Sequence, residues 1–256
     1  MNDQRVTRLA DAVHRLSTHT RANAKILLRR IGRWEAEVEA YNLCMLAASH
    51  ARAISALASQ EPSALPSGSA LARASLDAAA RALWLMPDGD PYVGEERWLR
   101  FLAEDVRGRR RIAEEYPGLE GQAETAAQIE AFRVAVAQSL PPGITVAGHI
   151  PPTRSMFEEI GAPEKYGIYV LLSQTVHGTH HATAGYRRNL GTEKLLGEFF
   201  GPCDWVLPLS AAWWSLAFPL SKLAARASVA LDEVLPSSIE TEYVAAQREA
   251  STAGSQ

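Results

Sequence analysis

A chain of 256 residues, 47% hydrophobic and 21% charged, is long enough to bury a substantial core and has the composition of a globular rather than a disordered protein. Its formal net charge of -3 argues against nucleic-acid binding through bulk electrostatics, because such domains carry a strong basic excess. The two cysteines, Cys44 and Cys203, lie far apart without metal-ligand spacing, which argues against a disulfide framework or a zinc ribbon and fits a reducing cytoplasm.

The N-terminal stretch MNDQRVTRLADAVHRL mixes charges with apolar residues and lacks the continuous apolar core of a secretory signal. From Asp3 to Arg30, Val6, Leu9, Val13 and Leu16 recur at helical spacing among arginines and predict an outer helix. An interruption near Gly32 leads to a helix from Trp34 to Gln60, in which Leu43, Leu46, Ala47, His50, Ile54 and Leu57 share one stripe. His50 is therefore either a core imidazole bonded to a carbonyl or hydroxyl, or a functional one that faces a site. Residues Glu61 to Ser69, EPSALPSGS, read as a linker, with Ser69 capping the helix ALARASLDAAARALWLM that stops before Pro87. Along that helix Arg73, Asp77 and Arg81 stand at four-residue intervals, with Trp84 near the same line. This spacing brings guanidinium and carboxylate onto one face, as part of a site or as a solvated ladder of ions.

Tyr92 to Tyr116 predicts a further helix, closed by Pro117-Gly118. Its basic cluster Arg107, Arg109, Arg110 and Arg111 is flanked by acids and reads as a solvated face rather than a nucleic-acid footprint. Glu120 to Leu140 continues as a helix with Ile129, Phe132 and Val136 inward. The segment Ile144 to Pro152, with His149, reads as an ordered loop near a site, and Thr153 is placed to cap a short helix. Pro163 then opens the central stretch, where YGIYVLLSQTVHGTHH runs from Tyr166 to His181. As one helix it puts Tyr166, Tyr169, Val170, Ser173, His177, His180 and His181 on one side, a mixture suited to a polar seam or the wall of a site.

After it, Gly185 and Gly191 bracket an Arg187-Arg188 turn, and EKLLGEFFG reads as a short amphipathic piece. Asp204 to Leu231 predicts a long tryptophan-bearing helix kinked at Pro219. Its most apolar part, Trp205 to Leu220, falls short of the roughly 20 apolar residues of a membrane span and reads as a buried core helix, so no membrane partner is expected. The expectation is a single helical-bundle domain over residues 1–235 and a polar, partly disordered tail over 236–256. No repeat and no run of alternating β-branched residues is present, and the fold class is all-α, a multi-helix bundle. The adjacent Trp213 and Trp214 point about 100° apart on a helix, which one core covers only with difficulty, so the tryptophan face is expected to make a homo-oligomer.

Three chemistries follow from these residues. A metal site is suggested by His177 and His181, one turn apart, with His180 as a third nitrogen. The Glu-x-x-His pairs of helical di-iron sites and the His-Glu-x-x-His pattern of metalloproteases are absent, so further ligands such as Asp77 or His50 would have to come from other helices. No Gly-x-Ser-x-Gly elbow or phosphate-cradling glycine loop occurs, and the cofactor stays unassigned. Acid-base chemistry on RNA pairs His177, which exchanges protons near neutral pH, with Arg73, which steadies a phosphate, supported by Asp77.

The helix RASLDAAARALWL and the later YGIYVLLSQTVHGTHH resemble a family of bacterial helical proteins that carry an Arg-x-x-x-acid helix and a Tyr-x-x-x-Ser-x-x-x-His-Gly helix; the matching residues are Arg73, Asp77, Tyr169, Ser173, His177 and Gly178. That family in turn resembles the HEPN superfamily of helical bundles, many of them dimeric, which includes ribonuclease toxins and abortive-infection proteins. The resemblance implies an HEPN-like bundle with an RNA- or nucleotide-linked, defence-type role and Arg73, Asp77, Tyr169, Ser173 and His177 as its site. The superfamily's catalytic Arg and His sit about four to six residues apart on one late helix. No arginine precedes His177 at that distance, whereas Arg8 and His14 have it on the first helix. A metal-dependent helical enzyme and a non-catalytic interaction module are the alternatives, because buried polar seams also fix helix register without chemistry.

Overall fold

The first helix begins where the Asp3 carboxylate accepts the Arg5 backbone N–H at 3.0 Å and caps it. The computed structural model describes residues 3–60, 62–141, 148–189 and 195–253. In chain order they form α1 (Gln4–Ala22), α2 (Ala24–Leu28), α3 (Glu35–Gln60), α4 (Leu65–Leu85), α5 (Pro91–Glu115) and α6 (Gln122–Ser139). There follow α7 (Thr153–Glu159), α8 (Pro163–Val176), α9 (His180–Thr183), α10 (Val206–Ala227), α11 (Leu231–Val234) and α12 (Ser237–Ala253). Among the described residues the only paired extended segments are Arg187–Arg188 (β1) and Leu195–Leu196 (β2), two antiparallel rungs. The fold is all-α.

At the centre α3, α4 and α10 pack together, with α1 laid across α3 and α10. Alanines make this possible. Ala47, Ala48 and Ala51 of α3, Ala72, Ala79 and Ala82 of α4 and Ala212 of α10 are all buried, and small side chains let helix axes approach while Ile54, Leu76 and Leu216 fill the remaining space. Gly68 of α4 shows the same principle at its limit: a Cβ there would lie 2.3 Å from the ring of Trp205. On α10, Leu209, Ala212, Leu216, Leu220 and Leu223 form a continuous inner stripe, and Pro219 is accommodated within the helix. No described helix is long and apolar enough to cross a membrane.

Several sequence expectations are corrected by packing. The first helix buries Leu9, Val13 and Leu16 on one side and leaves Arg8, Asp11 and Arg15 exposed on the other, but it ends at Ala22 rather than running to Arg30. The linker before α4 is shorter than expected: the helix starts at Leu65, and Ser69 lies inside it instead of capping it. Likewise Thr153 is the first residue of α7, with Pro152 at the cap position. The amphipathic piece after Gly191 is in part strand β2. Leu46 departs from its stripe and is 47% exposed.

The largest revision concerns the chain beyond Pro236. Instead of a partly disordered tail, residues 237–253 form α12, which packs along α1 and buries Ile239, Tyr243, Ala246 and Ala250. This helix also answers the question of the paired tryptophans. Trp213 is 7% exposed and stacks on Tyr243 of α12 with ring centres 3.9 Å apart. Trp214, 6% exposed, turns the other way toward Phe157 of α7, with Phe218 beside it. The bundle covers both indoles from different sides, so they give no reason to expect a subunit interface.

Candidate functional site

Helix α8 starts with Pro163 in its first turn, as its sequence predicts, and carries two stacked rings, Tyr166 and Tyr169, with centres 6.1 Å apart. Phe157 of α7 tilts against both. One turn beyond Tyr169, the buried Ser173 donates its hydroxyl proton to the Tyr169 carbonyl at 2.7 Å. Arg73 of α4 reaches this line. Its Nη2 donates to the Tyr169 hydroxyl at 2.6 Å, its Nε to the Ser173 hydroxyl at 3.4 Å, and its guanidinium carbon lies 4.9 Å from the centre of the Tyr169 ring. The structure thus brings together three of the five expected site residues.

Asp77 takes another partner. Its Oδ2 accepts from Arg81 Nε at 2.9 Å, and the Arg81 guanidinium lies against Phe101 of α5. Helix geometry explains the choice. Side chains lean toward the helix N-terminus, so Arg81 reaches back to Asp77 while Arg73 reaches away from it; an acid four residues before a base is the favoured order.

His177 is where the expected continuous helix breaks. It is the C-cap of α8, exposed, and Gly178 follows with φ +60. Thr179 N–H reaches the Gln174 carbonyl at 3.3 Å and Gly178 N–H the Thr175 carbonyl at 3.4 Å, the paired bonds of a glycine-terminated helix end. The helix stops because only glycine takes this left-handed conformation without penalty. His180 and His181 then begin the separate helix α9, so the helical spacing that would let His177 and His181 share a metal is lost. Among the described residues no group of three or more His, Cys, Asp or Glu side chains is placed to hold a metal ion. His180 is exposed, and the side chain of His181 lies outside the described residues. No hydrogen bond or ion pair among the described residues joins His177 to Arg73 or Asp77. The site is therefore a seam that leads from the half-buried Arg73, past Ser173, to an imidazole at the surface.

Of the other candidates, His50 is half-buried, and burial pushes its imidazole below its ordinary value, which favours the neutral ring. His149 is exposed, and residues 142–147 of its loop lie outside the described residues. In the basic cluster of α5, Arg107 pairs with Glu104 and Arg109 with Asp105, as expected of a solvated face. Cys44 is buried and Cys203 exposed, and both are free thiols.

Two constellations carry no signal in sequence spacing. Glu159 of α7 accepts from Trp84 Nε1 at 2.8 Å and from Arg97 at 3.2 Å, while Arg97 Nη1 donates to the Trp84 carbonyl at 2.6 Å; this knot ties α4, α5 and α7 together. Between α1 and α12 runs a groove of about 610 Å³ lined by Arg8, Asp11, His14 and Arg15 on one side and Glu242 and Glu249 on the other. Arg8 bonds Glu249 at 3.1 Å, and Arg15 bonds Glu242. The partners stand more than two hundred residues apart, and a spacing rule sees only one helix at a time. Comparison of the chain with family models, with curated proteins and with solved structures finds no match in any of the three.

Proposed function

We propose that this helical bundle has an HEPN-like role directed at RNA or another nucleotide-bearing ligand, with His177 as the proton-transferring group and Arg73 as the cation that meets the phosphate. One observation carries the reading. Tyr169, Ser173 and His177 occupy successive turns of α8; Arg73 is held on the first two, and the third stands at solvent. The hydrogen bonds to Tyr169 and Ser173 occupy two of the five N–H donors of Arg73, which leaves donors for an anionic oxygen. Asp77, paired with Arg81, has no part in this reading of the site.

A second location has its own support. Arg8 and His14 both line the open groove beside α12, and His14 Nδ1 lies 3.5 Å from the Ser55 hydroxyl. RNA cleavage by the native protein, His177→Ala and His14→Ala separates the possibilities. Loss in His177→Ala alone supports the α8 site, and loss in His14→Ala alone moves the chemistry to α1. Cleavage that is absent in the native protein, or equal in all three, removes the ribonuclease reading and leaves the Arg73 seam as a device that docks α8 in a non-catalytic interaction module.

A further inference from the structure

We propose that the cavity between α8 and α10 binds a straight aliphatic chain, the part that a medium-length fatty alcohol and a fatty acid have in common. Both helices pack on α4 but hardly touch each other, and the space left between them has a volume of about 770 Å³, within the range of small-molecule sites.

Two matched stripes give this space its shape. On α8, Ile168, Leu171, Leu172 and Thr175 line it, at the i, i+3, i+4 and i+7 positions of one helix face. On the other wall Cys203, Val206, Leu207 and Ser210 repeat the same spacing, from the turn before α10 into the helix. Leu65 and Ser69, one turn apart on α4, contribute a third side. The run from Ile168 to Thr175, at a rise of about 1.5 Å per residue, makes the trough about 10 Å long, close to the extended length of an octyl chain. A slot of this form suits a chain better than a compact ring.

The middle of both stripes is aliphatic, and their polar members stand at the ends. Thr175 closes the α8 stripe, Cys203 and Ser210 bound the α10 stripe, and Ser210 Oγ already accepts from Gln247 Nε2 at 3.4 Å. Ile168, Val206 and Leu207 are half-buried and Leu171 is 48% exposed, so aliphatic surface on both walls is still in contact with water. Inside a bundle such stripes ordinarily meet each other or a third helix. Here they face a gap, and a chain laid along it removes apolar surface from water on both sides at once.

The test is isothermal titration of the full chain with hexanol, heptanol and octanol, with the three matching carboxylates, and with 2-phenylethanol, a compact molecule that has the carbon count of octanol. Saturable one-to-one binding is expected in at least one straight-chain series, with affinity rising about threefold to fourfold for each added methylene. The ring compound is expected to bind at least fivefold more weakly than the tighter octyl probe, and octanol against octanoate reads which head the ends of the trough accept. Alkylation by iodoacetamide locates the chain on the native protein. Cys44 is buried and its thiol is pushed up to about 12 by that burial, so the reaction reports on the exposed Cys203, and a saturating chain is expected to slow it at least threefold. Thr175→Trp, which sets a bulky ring at the half-buried end of the trough, is expected to weaken the octyl probe tenfold or more. No saturable binding in either series, an affinity that does not grow with chain length, a ring bound as tightly as the chain, or binding that leaves Cys203 alkylation unchanged and survives Thr175→Trp overturns the proposal.

Discussion

Arg73 donates a 2.6 Å hydrogen bond to the Tyr169 hydroxyl across 96 residues of sequence, and through it α4 holds α8. Tyr169→Phe removes the acceptor and keeps the ring. A hydrogen bond with one charged partner contributes about 1.5–3 kcal/mol, and partial exposure here brings the expected loss below that range, to about 1 kcal/mol. Urea unfolding measures it as a shift in midpoint at constant slope. Combined with Arg73→Ala, the pair shows a coupling energy above about 0.5 kcal/mol; additive losses would mean that the bond does not hold the helices together.

Gly178→Ala forces a Cβ into the left-handed conformation that ends α8. The expected cost is about 1 kcal/mol in thermal or urea stability. The same change on Gly167, inside α8 with open space around a Cβ, is expected to stabilise the protein, because alanine is the better helix former there. Equal effects at the two positions would show that the turn after His177 is not strained.

Glu95 of α5 is buried, and its Oε1 accepts the Ala36 backbone N–H at 2.9 Å, so one helix caps the start of another. Burial is the largest influence and pushes its carboxyl above the usual range, with the Ala36 bond opposing. For an acid whose value is raised by folding, the protonated form is the one the fold prefers. Its contribution to stability is therefore greatest below the unfolded value, about 4.3, and declines as pH rises through the raised value. Glu95→Gln keeps an acceptor and removes the charge; the native protein is expected to lose stability relative to this variant as pH goes from 4 to 7. Glu95→Ala leaves the Ala36 N–H unpaired and costs about 1–3 kcal/mol at any pH in that interval. A stability difference between native and Glu95→Gln that does not change with pH counts against a carboxyl raised by burial.

Gly68→Ala sets helix propensity against packing. Alanine in a helix gains about 1 kcal/mol over glycine, but the new methyl would stand 2.3 Å from the ring of Trp205, itself 1% exposed. Overpacking a site that cannot relax costs about 1–3 kcal/mol, so a lower Tm is expected. A higher one would show that α4 and the turn at Trp205 are loosely joined.

What could be read from the chain, and what could not, divides along one physical line. Apolar periodicity is a local property, so α3, α5, α6 and α10 were legible to within a few residues and so was the start of α8, whereas its end at Val176 was placed at His181. Which face of a helix is covered depends on elements distant in sequence. Val6, Leu9, Val13 and Leu16 announced an apolar stripe but not that α12 would lie beside it, and Trp213 with Trp214 looked too divergent for one core because the two sides that cover them come from α7 and α12. The site was half legible for the same reason. Tyr169, Ser173 and His177 share a line because of their spacing, and Arg73 joins it through a contact no spacing encodes. Asp77 was drawn to the wrong arginine because a four-residue interval has a direction, set by the tilt of side chains along the helix.

The apolar residues of α6 are spread around the helix rather than gathered in one stripe; Ala126 is its one fully buried residue and Phe132 is 50% exposed, its ring held edge-on by Trp98 of α5. With α5 as its chief neighbour, α6 can separate without opening the α3–α4–α10 centre. Its backbone amides are thus expected to exchange with solvent hydrogen through a partial opening whose free energy lies well below that of global unfolding, while those of α3 and α10 wait for the whole protein to unfold.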